Sequence, residues 1–165
     1  MAAMNQKAVS MRALIVDDEP AIRDVLVGFF ESFGFETESA VDGEEALKIF
    51  RQNTFDVVIS DMMMPNMDGM ELLNELKRID PDVIIILITG YPSMDTAIDA
   101  IKKGAKDYIT KPFNIDEIKI KIDRALLERN LKGMVKSSRG IMWGLIVSIP
   151  VWLVLGIIFA KLLLK

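Results

Sequence analysis

From Arg12 onward the chain alternates short apolar runs with longer stretches in which apolar residues recur every three or four positions. Arg12–Val16 reads as a strand. Pro20, suited to a first helical turn, then opens a helix with Ile22, Val25, Leu26, Phe29 and Phe30 on one face. A short strand over 35–39 is followed, after Asp42 and Gly43, by a helix carrying Ala46, Leu47, Ile49 and Phe50. The alternation continues with a strand over 57–60 and a helix over 70–79 built on Leu72, Leu73 and Leu76. A wholly apolar strand over 83–88, a helix over 94–103, a strand over 108–110 and a helix over 115–130 complete it. Five β-α units in about 120 residues predict an α/β fold with a doubly wound parallel sheet. The strand at 83–88 has no polar position, as expected in the middle of a sheet covered on both faces.

The pattern changes at both ends. Residues 1–11 form an extension without the apolar core of a signal peptide. The domain is expected over 12–130, a basic linker over 131–140, and an uncharged stretch over 141–160, with a tail of 161–165. At 1.5 Å per residue those 20 residues span roughly 30 Å, the thickness of a bilayer core. Twelve of them are Leu, Ile, Val or Phe, Trp143 stands near one end, and Lys161 and Lys165 follow the other. A helix apolar on every side offers no face to water, which predicts a transmembrane helix. Pro150 does not exclude it.

Charge supports that division. The net charge of −4 conceals an asymmetry: all 24 acidic residues lie from Asp17 to Glu128, whereas Lys132, Lys136, Arg139, Lys161 and Lys165 follow with no acid among them. An acidic domain joined to a basic, apolar tail points to a membrane surface. No basic face with interleaved aromatics appears, and no nucleic-acid partner is expected. With no histidine and no cysteine, the chain excludes disulfides, Cys/His zinc sites, Ser-His-Asp triads and thiol nucleophiles, and it cannot carry phosphohistidine.

The candidate chemistry lies where strands stop. Asp17 and Asp18 follow the first strand, Asp61 the third, Thr89 the fourth and Lys111 the fifth. In doubly wound sheets ligands bind beyond the carboxyl ends of the strands, so topology alone brings these residues to one edge. Carboxylates suit a hard cation such as Mg²⁺. An Asp carboxylate can attack phosphorus to give an acyl phosphate, with a hydroxyl and an ammonium binding the transferred oxygens. Each residue also has a plain reading. Asp17, Asp18 and Glu19 before Pro20 would suit a helix start, Asp61 and Thr89 would suit turns, and Lys111 would suit the surface. Taken together, the five favour the phosphoryl-transfer site.

The stretches from Leu14 to Glu19, from Asp61 to Gly69, from Leu87 to Tyr91 and from Gly104 to Phe113 agree in order and spacing with one family. Over roughly residues 11–129 the chain resembles the receiver domain of two-component response regulators, and looks closest to those of the nitrogen-regulation type. The resemblance implies a flavodoxin-like sheet of order 2-1-3-4-5. It also implies that Asp61 accepts a phosphoryl group from a sensor histidine kinase. Mg²⁺ would be held by Asp18, Asp61 and the Met63 backbone carbonyl, with Asp17 acting through water. Thr89 and Tyr108 would be the switch residues, and Lys111 would pair with the phosphoryl oxygens before a cis bond to Pro112. Such a domain is not an enzyme on other substrates; it catalyses only its own phosphorylation and dephosphorylation.

Met63 and Tyr91 each follow a site residue by two positions, and an apolar and an aromatic side chain over the acyl phosphate would slow the attacking water. Slow autodephosphorylation is therefore expected. The expected setting is a single-pass protein of the inner membrane with its receiver facing the cytoplasm, where kinase and ATP reside. Its signal would leave through an unknown downstream protein, since only a linker and a span follow the receiver; homodimerisation through the fourth and fifth helices is the family's usual route. The alternative is a pseudo-receiver scaffold that binds partners without turnover, against which the intact acceptor set argues. A phosphatase of the haloacid dehalogenase type is rejected, because it needs a second Asp where Met63 stands.

Overall fold

The computed structural model describes residues 10–131. Its elements run β1 (Arg12–Val16), α1 (Pro20–Ser32), β2 (Glu36–Ala40), α2 (Gly43–Gln52), β3 (Val57–Asp61) and α3 (Gly69–Ile79). They continue with β4 (Ile84–Thr89), α4 (Met94–Lys102), β5 (Asp107–Thr110) and a final helix, α5, described over 115–131. The strands form one parallel sheet of order β2-β1-β3-β4-β5, the expected arrangement. The chain divides into two compact units after Ala125, and the described part of the second is helical.

Alternation along each strand separates two cores. Leu14, Val16, Val58, Ile85 and Leu87 join Leu47 and Phe50 of α2 and Leu72, Leu73 and Leu76 of α3 in one apolar cluster. The opposite positions, Ala13, Ile15, Val57, Ile59, Ile86 and Ile88, are also buried, as are Leu26 and Phe30 of α1 and Ile118 and Ile122 of α5. Burial on both faces explains why β4 carries no polar residue before Thr89. Val25, placed on the buried face of α1 by its spacing, is 56% exposed. The inward stripe narrows to Leu26 and Phe30, and Phe30 meets Phe35 edge to face at 5.2 Å.

Helix starts follow local chemistry. Asp42 caps α2 by accepting from the Glu45 N–H, and Asp68 and Glu71 form a capping box on α3. Ser93 and Thr96 do the same on α4. Among the described residues no helix is long and apolar enough to cross a membrane. The expected span over 141–160, its tail and its linker beyond Leu131 lie outside those residues, as do residues 1–9, and Leu131, expected to open the linker, is still helical.

Candidate functional site

Strand register assembles the site. Val16 pairs with Ser60, so the next residues of β1 and β3, Asp17 and Asp61, emerge side by side at the carboxyl edge. Thr89 pairs with Thr110, which carries Lys111 past the end of β5 toward the same edge. Asp17 and Asp61 are buried, and Thr89 is fully so. Lys111 Nζ donates to Asp61 Oδ2 at 2.5 Å, to Asp17 Oδ2 at 3.1 Å and to Glu19 Oε1 at 3.3 Å.

Both carboxylates are oriented by main-chain donors. The Glu19 N–H donates to Asp17 Oδ1 at 2.8 Å, and the Met63 N–H to Asp61 Oδ1 at 3.2 Å. The Asp17 carbonyl accepts from the Arg23 guanidinium at 2.7 Å. Gly69 is required here for room: a Cβ on it would lie 2.3 Å from the Asp61 carbonyl oxygen. The loop between β3 and α3 thus returns directly over the acceptor residue, and the Gly69 N–H closes on the Met62 carbonyl at 3.0 Å.

Burial pushes the Asp17 carboxyl above its ordinary range; the Glu19 N–H and Lys111 oppose that shift and the Asp61 charge adds to it. Burial alone would lower the Lys111 pKa, but its hydrogen bonds and charge interactions with Asp61 and Asp17 outweigh this and raise it. The ammonium is therefore held charged between two buried carboxylates.

Asp17, Asp61 and Lys111 are brought together as the sequence predicts. Glu19 was not among the expected ligands, yet the carboxylate oxygens of Asp17, Glu19 and Asp61 all lie within 4.8 Å of one another. Asp18, expected as a metal ligand, is exposed and stands outside that group. The turn after β1 directs alternate side chains inward, so positions 17 and 19 converge. A clue to Glu19 lay in the sequence: it precedes Pro20 as an N-cap residue, and its side chain makes no capping hydrogen bond to α1. The Met63 N–H reaches Asp61, and Met63 as a residue is 61% exposed; Tyr91 is 81% exposed and donates its N–H to Thr89 Oγ1. Tyr108 lies partly buried with its hydroxyl 3.2 Å from Thr96 Oγ1, and the Lys111-Pro112 bond is cis.

The donor set is all oxygen, two of its three carboxylates are buried, and one ammonium faces three negative charges. That excess suits a hard divalent cation such as Mg²⁺.

A family model described as the response regulator receiver domain matches residues 13–123. Regulatory protein AtoC of Escherichia coli K12 is 38% identical over 142 residues, which cover 83% of this chain and 31% of AtoC. The chain thus spans about a third of that relative's length. Among solved structures, the CheX-CheY-BeF₃-Mg²⁺ complex from Borrelia burgdorferi is 30% identical with a TM-score of 0.68, covering 70% of this chain and 89% of that one. The beryllofluoride-activated NtrC4 receiver domain dimer is 37% identical with a TM-score of 0.68, covering 72% and 98%.

Proposed function

The chain belongs to the response regulator receiver family, and we propose that it takes a phosphoryl group from a phosphohistidine onto Asp61. The observation that carries this is Lys111 Nζ bonded at once to Asp61 and Asp17, beside an all-oxygen cluster that fits Mg²⁺. In the transfer an Asp61 oxygen attacks phosphorus, the P–N bond to the donor breaks, and an acyl phosphate forms while the donor imidazole takes up a proton. Lys111 meets the charge that builds on the phosphoryl oxygens, and the Met63 N–H keeps the nucleophile aimed. Mg²⁺, when bound, would screen the carboxylates of Asp17, Glu19 and Asp61 from the incoming anion. Asp18, exposed beside them, would join only by turning inward.

Thr89 ends β4 one residue past Ile88, the strand partner of Asp61, and its hydroxyl would follow the phosphoryl group. Tyr108, tied to Thr96 on α4, is the route by which such a shift would reach that helix. The 20 uncharged residues of 141–160, with basic residues on both sides, support a membrane tether that would hold the receiver beside a membrane kinase. Homodimerisation, which the NtrC4 receiver's structure records for that protein, is an option for this one.

Intact mass of the full chain after incubation with Mg²⁺ and acetyl phosphate tests the acceptor, and co-flotation with lipid vesicles tests the tether. One added phosphoryl group, absent in Asp61→Asn, with the chain floating, is the expected result. A folded chain that gains no phosphate would overturn the phosphotransfer reading, and one that stays with the soluble fraction would overturn the tether.

A further inference from the structure

The loop between β3 and α3 is fastened beyond Asp61, at Asn66. Asn66 adopts φ 62°, a left-handed conformation uncommon outside glycine but tolerated by asparagine. It is the middle residue of a three-residue turn closed by the Met67 N–H on the Pro65 carbonyl at 2.8 Å, a turn of the rare, strained kind. Asn66 Nδ2 donates to Asp42 Oδ2 at 2.6 Å. Asp42 uses its other oxygen to cap α2, accepting from the Glu45 N–H at 2.9 Å. Beside it the Gly43 N–H donates to the Met67 carbonyl at 3.2 Å, and a Cβ at Gly43 would lie 2.7 Å from that same oxygen.

Asp42 is buried, and its carboxyl is held below the usual range by the Glu45 N–H and by Asn66, so it grips both partners as an anion. Between this anchor and Asp61 the loop carries Met63, whose N–H orients the acceptor carboxylate. The strain at Asn66 is retained only while something opposes its release.

We infer that Asp42 and Asn66 form a positioning pair for the acceptor site: their hydrogen bond holds the loop so that the Met63 N–H keeps Asp61 in its metal-binding orientation. Neither residue belongs to the carboxylate cluster of Asp17, Glu19 and Asp61. The inference rests on the Mg²⁺ site proposed above and adds to it two residues that sequence spacing does not single out.

Two variants isolate the bond. Asp42→Ser keeps a capping oxygen for α2 but gives up the second grip. Asn66→Gly keeps the left-handed backbone and removes only the side chain. The experiment follows the thermal midpoint of the full chain against Mg²⁺ concentration, in detergent where solubility requires it, so that affinity is read apart from basal stability. Each variant should bind Mg²⁺ about three- to tenfold more weakly, at or just below the usual cost of losing a supporting partner at a metal site. The double variant should be no weaker than the weaker single one, because both remove the same bond. Wild-type affinity in both variants, whatever their basal midpoints, would overturn the positioning role and leave the site reading intact. A wild-type chain whose midpoint ignores Mg²⁺ would overturn the site reading and this inference with it.

Discussion

Lys111 carries the most at the scale of single residues. Its ammonium pairs at once with the carboxylates of Asp17, Glu19 and Asp61. Lys111→Met would leave two buried carboxylates facing each other, which should cost on the order of 3 kcal/mol without Mg²⁺. Its folded-state pKa lies above the ordinary 10.5, so its stabilisation is complete below that pH and is lost as pH rises through the folded value. Above about pH 10.5 the wild-type thermal midpoint should therefore fall more steeply than that of Lys111→Met; parallel profiles would show that the charge does nothing for stability. Asp17 works in the same sense at lower pH, because its raised pKa means that stability is lost as pH climbs past the ordinary 3.8 and the buried carboxyl must ionise. At Met63 and Tyr91, exposed at 61% and 81%, small polar replacements should speed dephosphorylation by about tenfold, or about 1.4 kcal/mol of barrier. Phosphoprotein decay measured over time would decide this, and an unchanged rate would sink the idea.

Among the elements, the turn from β3 into α3 is the least tolerant. Gly69→Ala would set a Cβ 2.3 Å from the Asp61 carbonyl oxygen and 2.9 Å from Met62 Cα, both backbone atoms that cannot swing away. About 1–3 kcal/mol of stability should be lost, and phosphoryl uptake should fall because Asp61 itself is displaced. Denaturant melts and phosphorylation of the same sample check both, and full uptake in the variant would show that the loop has more give than its geometry suggests. Element limits were readable from sequence to within a residue or so. Pro20 marks the start of α1, and Asp42 before Gly43 marks that of α2. The second strand was expected at 35–39 and lies at Glu36–Ala40, because apolar Phe35 belongs to the ring contact with Phe30 and not to the sheet.

For the whole molecule, register turned a list of strand ends into a site. The alternation of strands and helices implied a parallel sheet, and with it a common edge for Asp17, Asp61, Thr89 and Lys111. Side-chain direction within one turn was not legible. Glu19 in place of Asp18 depends on how the chain leaves β1, and the grip of Asp42 on Asn66 joins residues 24 apart in sequence. The contact of Tyr108 with Thr96 likewise exists only once α4 packs beside β5. The central claim is that the acid at the end of β3, and not its neighbours Asp17 or Glu19, takes the phosphoryl group. Borohydride reduction of the phosphorylated full chain, followed by peptide sequencing, tests it most directly, since reduction of an acyl phosphate converts that aspartate to homoserine. Homoserine at position 61 alone is the expected result. Homoserine at position 17, reduction at Glu19, or a phosphorylated chain with position 61 unchanged would contradict the account.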